Sequence, residues 1–484
     1  MSNLFVTGLS GLQSFQRALD ATSQNIANSN TEGYVRQRAD FTTRESSLVG
    51  DMWVGTGVAV GRVRRVVNEF LADQSRTAQS SAARMEVFAG QAVRVANLLG
   101  DATGGLSASL QRLRNAIEGV AADPSSIAVR QVMLGELRGT VAQLQSTDGR
   151  LREFDVETNS QLAAEVTAID GLASGLAAIN REIVSSSATS GGVPNELMDE
   201  RDRLLDTLAG KVAVRSIQNR DGSVNVFVGQ GQPLVAGELA ARIGVQPDPA
   251  DGSRQRIVIR GDGGTTDITK SLTSGVLGGL ADFRSQVLDS ARNEVGRIAS
   301  VLAAALNDQH AAGIDLTGTR GGPLLSVGAP LAVTPTSNDG SATATVALED
   351  SGALVGADYQ LEWSGSAWTA RRLDTDAPVA MTGAGSPASP YVFDGLSVEI
   401  AGVPAVGDRI LLRPTREAVQ SMAVQVALPA RIAAALPIKV GTPTGNSGAM
   451  TVSSLEVRDP SHPDLRTEVV VAFPTPDTVS IDGD

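Results

Sequence analysis

The sequence predicts a multidomain α+β chain: an N-terminal coiled-coil-type helix, a long helical bundle domain with small β insertions, and an outer all-β domain. Three observations carry that reading. Phe5, Leu12, Leu19 and Ile26 recur every seven residues near the start, the spacing of a coiled-coil seam. An apolar series stepping by three, four and their sums runs through Leu137, Val141, Leu144, Leu151, Leu162, Val166, Ile169, Leu172, Leu176, Ile179 and Ile183, the stripe of one long helix or of two collinear ones. Five aromatics, Tyr359, Trp363, Trp368, Tyr391 and Phe393, fall within 35 residues of short alternating runs, although aromatics are only 3% of the 484 residues.

Taken in order, residues 4–28 read as one helix of about three heptads, Phe15 and Thr22 completing the seam three positions after Leu12 and Leu19. Gly8 is its weak point. The polar run Asn28-Ser29-Asn30-Thr31-Glu32-Gly33 stops it, with Gly33 expected in the left-handed conformation that ends helices at little cost. Because the seam has no partner within the chain, residues 1–30 are expected to fray in a dilute monomer and to become helical on self-association. Tyr34 to Thr43 and Trp53 to Val67 read as extended. From Asn68 the pattern is helical, broken at Gly104-Gly105 and at Asp123-Pro124, where Asp123 suits an N-cap ahead of a first-turn proline. The next helix is expected to span roughly 55 residues, about 80 Å, up to a Gly/Ser break at 185–193. Asn195 to Leu208 form a short helix. Val212 to Ile217 and Val224 to Val228 flank Asp221-Gly222 as a hairpin, residues 257–268 add strand, and helix returns from Leu277 to His310. The domain division is therefore 1–35, an N-terminal axial helix; 36–328, mainly helical with a β-hairpin insertion near 211–268; 329–414, an outer β domain whose boundary few contacts should cross; and 415–484, the start of a further, incomplete β unit.

Composition narrows function. The chain has 40 basic and 53 acidic residues, a net charge of −13, which makes it a poor binder of nucleic acid or anionic membrane. Without cysteine it has no disulfide or thiolate chemistry. No segment reads as a cleaved secretory signal, and no run approaches the roughly 18 uninterrupted apolar residues of a spanning helix. The only histidines are His310, read as a C-terminal helix residue favoured by the dipole, and His462, read as a surface turn between Pro460 and Pro463. Glu196, Asp199, Glu200 and Asp202 interleave with Arg201 and Arg203, as on a solvated, ion-paired helix face. Gly55-Thr56-Gly57 lacks the third glycine and following helix of a dinucleotide loop. No catalytic, cofactor or metal residues are assigned, and no cofactor is expected.

Ala21-Thr22-Ser23-Gln24-Asn25-Ile26-Ala27-Asn28-Ser29-Asn30-Thr31-Glu32-Gly33-Tyr34 resembles the signature of flagellar axial proteins, the family of rod, hook and hook-associated subunits. Tyr34-Val35-Arg36-Gln37 is similar to the hook-associated variant, where rod and hook proteins more usually carry Phe-Lys. Trp53 to Val58, Pro194 to Leu205, Gly275 to Ser285 with Asn307 to His310, and Tyr359 to Pro414 resemble further blocks of the family, so the likeness covers about residues 1–430. It implies a non-enzymatic structural subunit at the junction of hook and filament. It also implies assembly with itself in a helical array, and contact with hook protein, a second junction protein and an export chaperone. Type III export without a cleaved signal would place the chain outside the cell. The implied site residues are the seam, Phe5, Leu12, Phe15, Leu19 and Ile26, and the motif, Asn25, Asn28, Asn30, Thr31, Gly33, Tyr34, Arg36 and Gln37. The family pairs its first helix with a C-terminal one, whereas this sequence reaches Asp484 in a β or loop pattern, so the product either stops short of that helix or continues beyond Asp484. Other readings are a rod or hook subunit, a hydrolase acting through His310, or a secreted adhesin or enzyme built on residues 329–414.

Overall fold

The computed structural model describes all residues except 1, 50, 102–103, 191–193, 262–263, 439–440, 442–443, 445–461, 463–466, 468, 476–477 and 483–484. Its helices are α1 (Ser2–Ala27), α2 (Glu69–Leu99), α3 (Leu106–Ala122), α4 (Ile127–Ser190), α5 (Asn195–Lys211), α6 (Gly275–Asp282) and α7 (Asp289–Ala311). A π-helical turn, Phe283–Leu288, joins α6 to α7. α4 has 64 residues, about 96 Å at the helical rise. It outruns the expected break because the small polar residues continue the helix, Thr189 Oγ1 bonding back to the Ser185 carbonyl at 2.9 Å. Asp123 is not the N-cap of α4. It ends α3, at φ −136° and ψ 79°, since Pro124 excludes the α conformation from the residue before it.

Contacts divide the chain into two units, and α4 contributes to both. The first comprises residues 1–91, 157–248 and 252–283. In it α1 lies on a two-stranded antiparallel ribbon, Gln37–Thr43 with Val58–Arg65, bulged between Asp40 and Phe41. The hairpin expected near 211–268 proves larger: a four-stranded meander, Val214–Gln218, Val224–Val228, Gln232–Ala236 and Leu239–Ala240, and a three-stranded sheet, Arg242–Asp248, Asp251–Gly261 and Gly264–Asp267. Leu162, Val166, Ile169, Ala173 and Leu176 of α4 share one core with Leu205 and Leu208 of α5, Val226 and Leu234 of the meander, and Leu277 and Leu280 of α6. Asn180, fully buried beside that stripe, donates to Val224 O at 2.8 Å and Gly237 O at 2.6 Å and accepts from Val224 N–H at 3.0 Å. It thereby fixes helix to sheet where the backbone alone leaves polar groups open. By length and composition α4 would pass as a membrane-spanning helix, yet its apolar stripe is consumed by protein core.

The second unit comprises residues 92–156, 249–251 and 284–484. Leu113, Ala116 and Val120 of α3, Leu134, Leu137, Val141 and Leu144 of α4, and Val295, Ala299 and Ala303 of α7 are buried. Between residues 331 and 413 two antiparallel sheets pack face to face. One has the strand order Leu331–Val333, Arg409–Arg413, Tyr359–Trp363, Trp368–Arg372, Pro378–Val379, and the other Thr343–Leu348, Leu396–Ala401, Tyr391–Phe393. Tyr359, Leu361, Phe393, Leu396, Val398, Ile410 and Leu412 fill the space between them. The clustered aromatics mark that core, with Tyr359 edge-on to Phe393 at 5.3 Å.

The boundary at 414 is not contact-poor. Arg413 pairs with Asp251, and Arg416 pairs with Asp358 at 2.5 Å and Asp289 at 3.1 Å, all with side chains 15% exposed or less. Residues 415–484, expected to open a β unit, divide. Thr415, Val419, Met422 and Ile432 are buried, Thr415 Oγ1 bonding the Asn293 carbonyl of α7, and Ala423–Val424 pairs with Leu325–Ser326. Val470–Thr475 and Thr478–Asp482 form a hairpin, and the expected turn around His462 lies mostly outside the described residues.

Candidate functional site

α1 has two unlike faces. Ser10, Ser14 and Ala21, spaced by four and seven, are under 9% exposed against the ribbon. Ser10 Oγ accepts from Val58 N–H at 3.2 Å, and Ser14 Oγ donates to Val58 O at 3.3 Å. Small side chains let the helix approach so closely that a Cβ on Gly57, at φ 106°, would stand 2.0 Å from Ser10 Oγ. At about 100° per residue, Leu12 and Leu19 point away from this face. Phe5, Leu12, Phe15, Leu19 and Ile26 are 64–83% exposed, Phe15 touching Phe41 with ring centroids 5.6 Å apart. Leu4 and Leu9 extend the same apolar surface. The seam thus faces water as expected, but the helix is not partnerless: its small-residue face holds it to the ribbon.

Asn25 is the hub of the motif. Its Nδ2 donates to Gln37 O at 2.8 Å, and its Oδ1 accepts from Gln37 N–H at 2.8 Å and from the Tyr34 hydroxyl at 3.0 Å. The turn between them is closed by Asn28, whose carbonyl accepts Thr31 N–H at 3.0 Å and whose Oδ1 accepts Thr31 Oγ1–H at 3.2 Å. Asn30 is exposed in that turn. Gly33 follows at φ 79°, where a Cβ would lie 3.1 Å from Arg203 Cδ. Arg36 is exposed, its carbonyl accepting Val66 N–H at 2.9 Å. On the ribbon's inner side Gln37 Oε1 accepts from Asn195 Nδ2 at 3.1 Å. Arg65, 5% exposed, pairs with Asp199 at 2.7 Å and Asp202 at 2.5 Å of α5. Burial pushes the Asp199 carboxyl up despite the Arg65 guanidinium, and burial, then the charges of Asp199 and Glu196, push the Tyr34 phenol up.

The comparisons with known proteins fit this arrangement. Residues 5–34 match the family model for flagella basal body rod protein, residues 92–325 that for the FlgK helical domain, and residues 333–414 that for the hook-associated protein 1 D2-like domain. Flagellar hook-associated protein 1 of Escherichia coli K12 is 32% identical over 451 residues, covering 93% of this chain and 82% of that protein. The Salmonella typhimurium LT2 protein is 32% identical over 444 residues, 91% and 80% of the two chains. The chain belongs to the flagellar hook-associated protein 1 family. A solved relative, the flagellar hook junction protein FlgK from Burkholderia pseudomallei, is 30% identical with a TM-score of 0.71, the match covering 75% of this chain and 66% of that one.

Within this chain, the residues that tempt an enzymatic reading serve structural contacts. His310 is buried, Nε2 accepting Ala433 N–H at 2.9 Å and Nδ1 donating to Gly322 O at 2.6 Å, so both ring nitrogens are spent on backbone. The acidic run on α5 divides: Glu196 is exposed and Glu200 pairs with the exposed Arg203, as on the solvated face expected, whereas the rest turns inward. Arg201 is 5% exposed, donating to Gly222 O at 3.1 Å, and Asp199 and Asp202 hold Arg65. A polar cleft of about 980 Å³ beside them is lined by Arg62, Arg64, Arg76, Glu69, Asp73 and Ser216 among others. Among the described residues no three acidic or histidine side chains stand together as metal ligands. Sequence reasoning missed the inner face of α1. Its signal was present, as serine, serine and alanine at heptad-related positions opposite the seam. The Arg65–Asp199 clamp left no local signal, because its partners are 134 residues apart.

Proposed function

We propose that this chain is a structural subunit of the bacterial flagellum that forms the junction between hook and filament, holding copies of itself in a helical array. The observation that carries this is α1, anchored by its small-residue face while five large apolar side chains stand 64–83% exposed. Each would contribute roughly 1.5–3 kcal/mol if buried, so the surface is costly in water and suited to a partner helix. The relative from Burkholderia is described as a hook junction protein. By that likeness the neighbours are hook protein below, a second junction protein above and copies around the axis, with an export chaperone engaged before assembly. Export proceeds through the flagellar channel without a cleaved signal, to the cell exterior. Residues 329–414 form the outer β domain, and no catalysis is assigned to the chain.

The test is Leu12→Asp/Leu19→Asp. The variant keeps the far-ultraviolet helical signal, loses concentration-dependent association, and fails to restore motility to cells lacking their own hook-associated protein 1, whereas the unaltered chain restores it. A folded variant that restores motility fully would refute the seam's role.

A further inference from the structure

We infer that the outward face of the ribbon, bearing Arg36, Arg38, Arg62 and Arg64, docks on the acidic surface of a second copy of this chain. The inference deepens the junction-subunit reading and rests on it. In the ribbon Arg38 lies directly opposite Arg64, and Asp40 opposite Arg62. Directly opposed residues project from the same face of an antiparallel pair, and Arg36, joined by its carbonyl to Val66, continues that row. The other face is occupied, Gln37 and Arg65 being held by Asn25, Asn195, Asp199 and Asp202.

Of the ribbon's own residues, the outward face holds four guanidinium groups against one carboxylate, Asp40. Glu69 and Asp73 share the cleft that Arg62 and Arg64 border, without an ion pair to either within 4.0 Å among the described residues. Asp40 reaches Arg38 at 3.0 Å and Arg64 at 2.7 Å, and those two arginines remain 56% and 53% exposed. Arg36 and Arg62 are exposed, and among the described residues neither has a carboxylate within 4.0 Å. Three positive charges are therefore left over, on a chain whose net charge is −13. Like charges directly across a ladder weaken it; Asp40 offsets this for Arg38 and Arg64 and leaves Arg36 and Arg62 with no carboxylate of their own. The gain lies with an external carboxylate surface, which guanidinium forks engage bidentately. A copy of this chain, with 53 acidic against 40 basic residues, has the opposite net sign to this face.

Sedimentation velocity of the full chain across a concentration series tests this, at about 0.1 M and about 1 M NaCl, where the screening length falls from about 10 Å to about 3 Å. The inference predicts association at least tenfold weaker at the higher salt, the opposite of what burial of the seam alone would give. Arg36→Glu/Arg62→Glu breaks no internal ion pair but sets a second carboxylate opposite Asp40, so it should unfold slightly below the unaltered temperature and associate at least tenfold more weakly at the lower salt. Arg36→Gln/Arg62→Gln should fall between. Association of the unaltered chain that ignores salt and survives both double variants overturns this inference and leaves the seam reading standing. Variants that self-associate normally but lose binding to purified hook protein also overturn it, assigning the face to another partner. A chain that stays monomeric under all conditions, while Leu12→Asp/Leu19→Asp behaves identically, removes the junction reading and this one together.

Discussion

Asn25→Ala removes the three hydrogen bonds that join the end of α1 to the start of the ribbon, at 2.8, 2.8 and 3.0 Å. At a net of about 0.5–1.5 kcal/mol each, the loss is about 2–4 kcal/mol. It falls on a local opening, because all three bonds lie between α1 and the start of the ribbon. At about 1.4 kcal/mol per factor of ten, α1 should detach roughly 30 to 1,000 times more often. Amide hydrogen exchange on a dilute monomer reads this directly: protection should drop at the Gln37 amide, across 38–43 and 58–65, and in the second half of α1, with the meander amides unchanged. Gln37→Ala is the control: it spares the backbone bonds to Asn25 and loses only the side-chain bond to Asn195 at 3.1 Å, so its loss of protection should be smaller. Unchanged exchange in Asn25→Ala, or an equal loss in Gln37→Ala, would refute the view that this side chain holds the helix to the ribbon.

Three further outcomes are expected. Arg416→Ala removes the guanidinium that pairs with Asp289 at 3.1 Å and Asp358 at 2.5 Å; removing one partner of a buried pair costs up to about 3–5 kcal/mol, visible as a lowered urea midpoint, and an unchanged midpoint would contradict it. Burial, then the hydrogen bond to Asp394 at 2.8 Å, raise the Tyr359 phenol above its ordinary value of 10.0. The unfolded chain therefore releases that proton first as pH rises: the contribution is intact below about pH 10 and is lost above it at up to about 1.4 kcal/mol per pH unit. Tyr359→Phe should flatten the alkaline fall in unfolding free energy, and an identical fall in both proteins would count against the assignment. Gly57→Ala, at φ 106° and with its new Cβ 2.0 Å from Ser10 Oγ, should destabilise the docking of α1 by about 1–3 kcal/mol, with protection in the first half of α1 falling as the readout.

Periodicity alone marked the helices, because an apolar stripe along one face, buried as in α4 or exposed as in α1, repeats with the helical turn. The heptad at Phe5 to Ile26 and the stripe from Leu137 to Ile183 were legible for that reason, as was the hairpin at Asp221-Gly222, where Gly222 takes φ 88°. The aromatic cluster between Tyr359 and Phe393 gave away its own core because large rings need a shared interior. The Asn-rich segment after α1 was legible as a family signature, but not as a set of bonds. Only the tertiary structure decided that Asn25 grips a backbone twelve residues on, that Ser10 and Ser14 seat α1 on its own ribbon, and that Asp199 and Asp202 meet Arg65 instead of water. The same holds for the joint of Arg413 and Arg416 with Asp251, Asp289 and Asp358, which bridges what composition had marked as a boundary. The physical reason is common to these cases. Apolar burial is non-directional and leaves its period in the sequence, whereas a buried polar contact depends on one partner brought close by the fold, and single aspartates and arginines far apart in the chain have no period to betray them.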